Sequence, residues 1–170
     1  MRFLHRLFAN RPDPRDEVRA LWAQVIAEAR DPAWYRDCGV ADTLEGRFDM
    51  VTAVLALVVL RMEKAPALAP YTAPLTEIFV EEMDGQLRQS GVGDLMVGKQ
   101  IGKLMSTLGG RMGAYRAALA VGGKELAQAV HRNITLADES RAGAAATRLR
   151  AFDGRLTETT DPNIMAGELA

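Results

Sequence analysis

The chain has 170 residues, of which 48% are hydrophobic and 25% charged, so it is long enough for one domain with a substantial core. A single cysteine, Cys38, excludes an intramolecular disulfide, and the longest apolar run, residues 50–60, is too short to cross a bilayer. The formal net charge of −1 excludes neither an anionic nor a cationic partner, because the charges are unevenly distributed along the chain.

Basic and acidic residues alternate in blocks along the chain. Residues 1–11 contain three basic residues and no acidic one, and residues 12–98 contain eight basic and fifteen acidic residues. Residues 99–155 contain ten basic and four acidic residues, and residues 156–170 contain three acidic residues and no basic one. A basic block can face phosphate or lipid headgroups, or it can attract the acidic block within the fold. Both interpretations remain open at this point.

Residues 1–14 are predicted to be a basic amphipathic segment. In a helix, one side would carry Phe3, Leu4, Leu7 and Phe8 and the other Arg2 and Arg6. The segment lacks the continuous apolar stretch of a secretory signal, so export is not expected. It is either a membrane-surface anchor or a piece that docks on the protein's own core or frays.

Apolar periodicity predicts helices from residue 15 onward. The first helix covers residues 16–29 and ends before Pro32. The next helix opens with a capping pair at Asp42 and extends to about Met62. Three prolines make residues 65–74 a predicted loop. The interior positions expected for the second helix are Phe48, Val51, Val54, Leu55 and Val58.

A further helix is predicted through Leu87, followed by a tight turn. Gly91 suits the left-handed position after that helix, Gly93 completes the turn, and Asp94 suits the N-cap of the next helix. That helix continues to about Val121 and is rich in glycine. Because each helical glycine costs roughly 1 kcal/mol relative to alanine, the pattern predicts either a closely packed neighbouring helix or a bend.

Two weaker helices are predicted at residues 124–136 and 140–156, and residues 157–170 are predicted to be a flexible tail. No alternating strand pattern or hairpin dipeptide occurs. The sequence therefore predicts an all-α fold, a single-domain irregular bundle of about six or seven helices over residues 15–156.

Motifs for catalysis or metal binding are absent from the sequence. The two histidines, His5 and His131, have no companion ligands, and residues 91–94 follow a helix rather than a strand, so they are not a phosphate loop. We expect no cofactor and no metal. The alternatives are a haem- or small-ligand-binding protein that uses His131, Cys38 or a methionine, and an enzyme without a recognisable motif.

The glycine-rich helix carries a charged face and several methionines. Lys99, Lys103 and Arg111 are predicted to lie on an exposed polar face, which either binds an anionic partner or is merely solvated. Met105 and Met112 are either core residues or part of an adaptable apolar surface for varied clients.

Several blocks in order resemble the ubiquinol–cytochrome c chaperone family over residues 15–120. They are residues 35–40 and 42–49, Met83-Asp84, Leu87-Arg88, residues 91–95, Lys99, Lys103, Gly110-Arg111 and Tyr115. The chain departs from the family pattern at Leu108-Gly109, where an aromatic pair is expected.

The resemblance implies a non-catalytic assembly chaperone of the cytochrome bc1 complex. Its expected partners are a protein client, cytochrome b or another membrane subunit, a small co-chaperone, and a ribosome or anionic membrane surface, with no DNA. The expected place is the cytoplasm or the cytoplasmic face of the inner membrane, or the matrix side in mitochondria. We expect the client groove around the glycine-rich helix, and the candidate binding residues are Arg36, Asp37, Arg47, Asp94, Lys99, Lys103, Met105, Arg111, Met112 and Tyr115.

Overall fold

The computed structural model describes residues 13–89 and 94–169, and these residues confirm the predicted all-α class. The helices are α1 (Pro14–Glu17), α2 (Arg19–Ala29), α3 (Pro32–Arg36), α4 (Leu44–Glu63), α5 (Thr72–Gln89), α6 (Asp94–Val121), α7 (Gly123–Asn133), α8 (Ala142–Glu158) and α9 (Asp161–Ala166). Short 3-10 turns at Ala69–Tyr71 and Glu139–Arg141 precede α5 and α8. The described residues contain no β-strand, only an isolated bridge between Val40 and Leu136.

Helix α4 is the centre of the fold. Every residue from position 49 to position 60 is buried, as predicted for Val51, Val54, Leu55 and Val58, whereas Phe48 is half-buried. A helix that is apolar on all sides must be enclosed, and α2, α5, α6 and α8 pack around it. Among the described helices, α4 included, none is long and apolar enough to cross a membrane.

The start of α4 differs by one residue from the prediction. Thr43, rather than Asp42, is the N-cap, and its hydroxyl accepts a 3.2 Å hydrogen bond from the backbone N–H of Gly46. Asp42 instead accepts a 2.7 Å hydrogen bond from Arg47. Thr43 therefore supplies the acceptor that a free N–H group at the start of α4 requires, and Asp42 stays on the surface.

Other boundaries shift where a cap or a proline acts locally. The predicted helix 16–29 is interrupted at Val18, which separates α1 from α2. Asp31 caps α3 by accepting a 2.8 Å hydrogen bond from the N–H of Ala33, so Asp31-Pro32 starts a short helix as well as ending α2. The predicted loop 65–74 is shorter than expected, because α5 already begins at Thr72.

Two loops distant in sequence bind each other through their backbones. The N–H of Ala41 donates to the carbonyl of Thr135 over 2.9 Å, and the N–H of Ala137 donates to that of Gly39 over 2.8 Å. Gly39 has φ +73°, and a Cβ there would lie 2.8 Å from the Cβ of Arg141. A glycine is therefore required at this position for both conformation and space.

The C-terminal segment is packed against the core, contrary to the predicted flexible tail. Helix α9 contacts α2, and Ile164 is completely buried. Arg61 of α4 donates hydrogen bonds of 2.9 Å to the carbonyl of Leu156, 3.0 Å to that of Thr159 and 2.7 Å to the carboxylate of Asp161. The prediction failed because the packing of residues 157–170 depends on one buried isoleucine and on an arginine far away in the sequence. Neither produces a periodic pattern of apolar residues within this segment.

The glycines of α6 are not explained by close helix packing. A Cβ built at Gly102, Gly109, Gly110 or Gly113 would meet no described atom within 4 Å. The predicted closely packed neighbour is therefore absent at these four positions, and the alternative, a bend in the helix, stays a prediction. Gly122 ends α6 with φ +114°, as the sequence indicated. The predicted turn at Gly91 and Gly93 lies outside the described residues.

We predict opposite effects for two glycine-to-alanine changes. A Cβ at Gly46 would lie 2.0 Å from the backbone oxygen of Ala41, so Gly46→Ala should lower the free energy of unfolding by about 2–3 kcal/mol. Gly113→Ala has open space and should raise it by about 0.5–1 kcal/mol through helix propensity. Urea titrations measure both, and an unchanged Gly46→Ala midpoint would contradict the packing described for Ala41.

Candidate functional site

An open groove of about 870 Å³ lies where α2, α3, α4 and α5 meet. Its lining residues are Ile26, Arg30, Pro32, Tyr35, Arg36, Asp42, Leu44, Arg47, Phe48, Val51, Glu82 and Met83. This volume is near the upper end of ordinary ligand pockets. The sequence placed a groove around α6, yet none of the described side chains of α6 lines this one.

The groove has an apolar floor. Ile26, Phe48, Val51 and Met83 belong to it, and the Phe48 ring stands 6.3 Å from the ring of Phe79 behind it. Leu44, the first residue of α4, stands at the edge with 75% of its surface exposed. Leu44 thereby extends the apolar surface of the groove at its edge.

Arginines from three different elements stand around this floor. Arg36 ends α3 and pairs with Asp37 over 2.9 Å, and Arg47 pairs with Asp42 over 2.7 Å. These hydrogen bonds lower the pKa of both aspartates. Arg30 is exposed and has no ion-pair partner among the residues that the structure describes.

Tyr35 joins α3 to α2 at the base of the arginines. Its hydroxyl donates a 2.8 Å hydrogen bond to the carbonyl of Ala29, and burial raises the pKa of this hydroxyl. The positive charges of Arg47 and Arg30 act on the same hydroxyl in the opposite direction. The two arginines therefore lie within electrostatic reach of one point in the groove.

The structure brings together only some of the residues predicted as a binding site. Arg36 and Arg47 line the groove, and Asp37 stands beside them as the ion-pair partner of Arg36. Lys103 and Met105 are exposed on α6, away from that lining. Asp94 begins α6, but its side chain and that of Lys99 lie outside the described part of the chain.

Two further candidates on α6 face the core. Tyr115 is completely buried, and Met112 is partly buried against the core. Burial raises the pKa of the Tyr115 hydroxyl far above its usual value, so it stays protonated. Tyr115 has no exposed surface in this conformation, and its binding role stays a prediction. Leu108 is also buried, in the place where an aromatic side chain was expected.

Arg111 does not lie on an exposed face, and that prediction is wrong. Its guanidinium is 2.5 Å from the carboxylate of Asp49, and the two side chains are only 12% and 10% exposed. The other carboxylate oxygen accepts hydrogen bonds from the N–H and the hydroxyl of Thr135, at 2.9 and 2.7 Å. A carboxylate on the buried helix α4 must be paired, and this requirement brings Arg111 inward.

The groove and the buried ion pair are neighbours. The guanidinium carbon of Arg111 lies 5.8 Å from the centre of the Phe48 ring, whose side chain forms part of the groove floor. Asp49 follows Phe48 directly in α4. The ion pair therefore lies next to a residue of the groove floor.

Cys38 and His131, the proposed haem ligands, do not line the groove. Cys38 is buried, and burial raises the pKa of its thiol. His131 is exposed on α7, with Nε2 3.4 Å from the carboxylate of Glu139. No cluster of metal-binding side chains occurs among the described residues.

Sequence reasoning missed most of the groove floor. Phe48 was predicted as an interior residue of α4, because periodicity cannot distinguish a residue inside the core from one at the edge of a cleft. One sequence feature could have indicated that Leu44 is exposed, since this apolar residue interrupts a polar stretch at the start of a helix. No sequence feature distinguishes Arg30.

Comparison with known proteins gives two matches that cover most of the chain. A family model described as ubiquinol-cytochrome C chaperone matches residues 36–170. The chain is similar to the crystal structure of the Cbp3 homolog from Brucella abortus, at 30% identity and a TM-score of 0.82, over 99% of this chain and 96% of that chain. A search of curated proteins found no match.

We predict that Arg111 contributes to stability and that Lys103 does not. Arg111→Met leaves Asp49 as a buried charge without its cation, so the free energy of unfolding should fall by about 3 kcal/mol or more. Lys103→Met, on the exposed surface of the same helix, should change it by less than about 0.5 kcal/mol. Equal urea midpoints for the two variants would contradict a structural role for the ion pair.

Proposed function

The chain belongs to the ubiquinol-cytochrome C chaperone family, and from this premise we propose that its groove holds an apolar segment of newly made cytochrome b. The family gives the general role, a chaperone in assembly of the bc1 complex with a protein client. The observation that supports the groove as the site is the apolar floor with Leu44 exposed at its edge. The proposed action is holding and release, with no chemical step.

A groove of this kind suits a helical apolar client. An amphipathic or apolar helix presents side chains at positions i, i+3, i+4 and i+7, which enter a groove together. Full burial of a leucine such as Leu44 contributes about 1.5–3 kcal/mol, which corresponds to roughly a tenfold or larger gain in affinity. Met83 adds an unbranched side chain that adapts to different clients.

The exposed surface of α6 is the weaker candidate for the client. Met105 is exposed there, but a Cβ added at the neighbouring glycines 102 and 109 would meet no described atom, so the surface is not enclosed. A client would bury less area on such a surface than between four helices. We therefore assign the client to the groove.

The proposal also includes the other partners that the family resemblance implies. A small co-chaperone and a ribosome or anionic membrane surface would bind outside the groove, at the cytoplasmic side of the inner membrane or its mitochondrial equivalent. Lys103, Lys124 and Arg132 support an anionic contact, since they are exposed and have no ion-pair partner among the described residues. Arg111 no longer belongs to that surface.

Site-specific cross-linking tests the assignment of the client. A photoreactive amino acid replaces Leu44 in one variant and Val121 in another, because both are large apolar residues with over 70% exposure and only Leu44 lines the groove. Cytochrome b synthesised in the presence of the protein should cross-link at position 44 and not at position 121. Cross-linking at neither position, or only at 121, would contradict the proposal.

We predict that Leu44→Gln lowers cytochrome b accumulation while Val121→Gln does not. Glutamine removes the apolar contact without adding a charge, and the loss should weaken client binding by roughly tenfold. Both variants should fold normally, since each side chain is mostly exposed. Cytochrome b and chaperone levels in respiring cells are measured together. Normal cytochrome b in the Leu44→Gln strain would show that this edge of the groove does not hold the client.

A further inference from the structure

We propose that Arg148 of α8 is a positioning residue for the client, because it holds the short helix α3 in place as one wall of the groove. The inference rests on the proposed function, since it names what keeps that same groove in its binding shape. It is carried by the contacts of Arg148 with the first turn of α3. Among the described residues that line the groove none belongs to α8, so this arginine acts through α3.

Helix α3 is too short to keep its position by itself. It has five residues, and isolated helices shorter than about 12–15 residues are marginal in water. Trp34 is its buried residue, while Pro32, Tyr35 and Arg36 line the groove. Contacts from other elements must therefore fix α3, and with it this wall of the groove.

Arg148 contacts the start of α3 in two ways. Its Nη2 lies 2.5 Å from Oδ2 of Asp31, the N-cap residue of α3, while Oδ1 of the same carboxylate accepts the 2.8 Å hydrogen bond from the N–H of Ala33. Its guanidinium carbon lies 4.7 Å from the centre of the Trp34 ring, which is a cation–π distance. One side chain thus binds both the cap and the buried ring of α3.

The ion pair between Arg148 and Asp31 is partly shielded from solvent. The Arg148 side chain is 28% exposed, so salt screens this pair less than it screens pairs on the open surface. The hydrogen bond from Ala33 and the positive charge of Arg148 lower the pKa of Asp31. The carboxylate therefore stays ionised, and the pair stays formed, at neutral pH.

Two further arginines extend the contact on either side of Arg148. Arg155 lies two helical turns further along α8 and donates a 2.9 Å hydrogen bond to the carboxylate of Glu28. Arg141, in the turn before α8, donates a 3.0 Å hydrogen bond to the carbonyl of Asp37. The segment 28–37 is therefore held at both ends, and Arg148 holds the first turn of α3 between them.

A displaced α3 would lose contact with a bound client. Apolar side chains are in contact only within about 4–4.5 Å, and a gap of about 0.5–1 Å already forfeits a quarter to a half of the dispersion attraction. Loss of Arg148 should therefore weaken the binding of an apolar segment without removing any residue that lines the groove.

Peptide binding to the full-length protein tests the role of Arg148. The probe is a fluorescent helical peptide of about five turns with leucines at i, i+3, i+4 and i+7. Arg148→Gln should weaken its binding about threefold or more at a temperature where urea titration shows the variant to be folded. Arg150→Gln is the matched control and should leave the affinity unchanged, because Arg150 lies on the same helix and donates to the carbonyl of Leu119 instead.

A double-mutant cycle tests whether Arg148 acts through Asp31. Asp31→Asn removes the charge of the pair and keeps the cap, because asparagine accepts the same hydrogen bond from Ala33. It should weaken the peptide about as much as Arg148→Gln, and the double variant should lose little more than either. Asp31→Asn also keeps the test decisive if Arg148→Gln folds poorly. Fully additive losses would overturn the inference.

Amide hydrogen exchange reports on α3 itself. The N–H groups of Asp37 and Cys38 both donate to the carbonyl of Ala33, at 3.0 and 3.2 Å. They should exchange faster in Arg148→Gln than in Arg150→Gln, while residues 50–60 of α4 exchange equally in both. Equal exchange at positions 37 and 38 in the two variants would contradict the role of Arg148.

The outcomes separate this inference from the proposed function. If Arg148→Gln lowers the urea midpoint but leaves the peptide affinity unchanged, the arginine is structural only and the inference is wrong. If Leu44→Gln weakens the peptide while Arg148→Gln does not, the groove holds apolar segments and only the positioning role fails. If the unmodified protein binds no peptide, the groove proposal and this inference fail together.

Discussion

The buried carboxylate of Asp49 is the constraint on which the arrangement of the helices depends. It lies on α4, where every neighbour up to position 60 is buried, and an unpaired charge there would cost several kcal/mol. Arg111 from α6 supplies the countercharge, and Thr135 supplies two hydrogen-bond donors to the remaining oxygen. Three segments that are far apart in sequence are therefore fixed at one point. Removing either partner of such a pair is costly, because it leaves a buried charge without its counterion.

The groove follows from this point through two short connections. The backbone carbonyl of Thr135 also accepts a hydrogen bond from the N–H of Ala41, so the loop before α4 is held against the loop after α7. That contact fixes where α4 begins, because Gly46 packs directly on the carbonyl of Ala41. Leu44, Arg47 and Phe48 then stand in the first turns of α4, facing α2, α3 and α5. The proposed client surface is thus built on a buried, paired charge.

The sequence predicted what depends on local pattern and missed what depends on distant partners. The apolar run of α4, its approximate ends, and the stop at Gly122 follow from periodicity and turn chemistry, and the structure agrees. The inward position of Arg111 could not be predicted, because a charged residue on an amphipathic helix normally faces water and its partner is 62 positions away. The same holds for α9, whose packing depends on Arg61 and Ile164. The groove forms only where four helices meet, and no single stretch of sequence shows such a meeting. Of the residues that line it, only Arg36 and Arg47 were predicted as binding residues.

The central claim is that the client occupies the groove between α2, α3, α4 and α5. Amide hydrogen exchange of the full-length protein, alone and in complex with cytochrome b synthesised in vitro, tests it most directly. The account predicts slower exchange on binding in residues 30–48, where the exposed loops and the first turn of α4 border the groove, and unchanged exchange in α7 and α8. Slower exchange confined to the exposed surface of α6, with residues 30–48 unchanged, would contradict it.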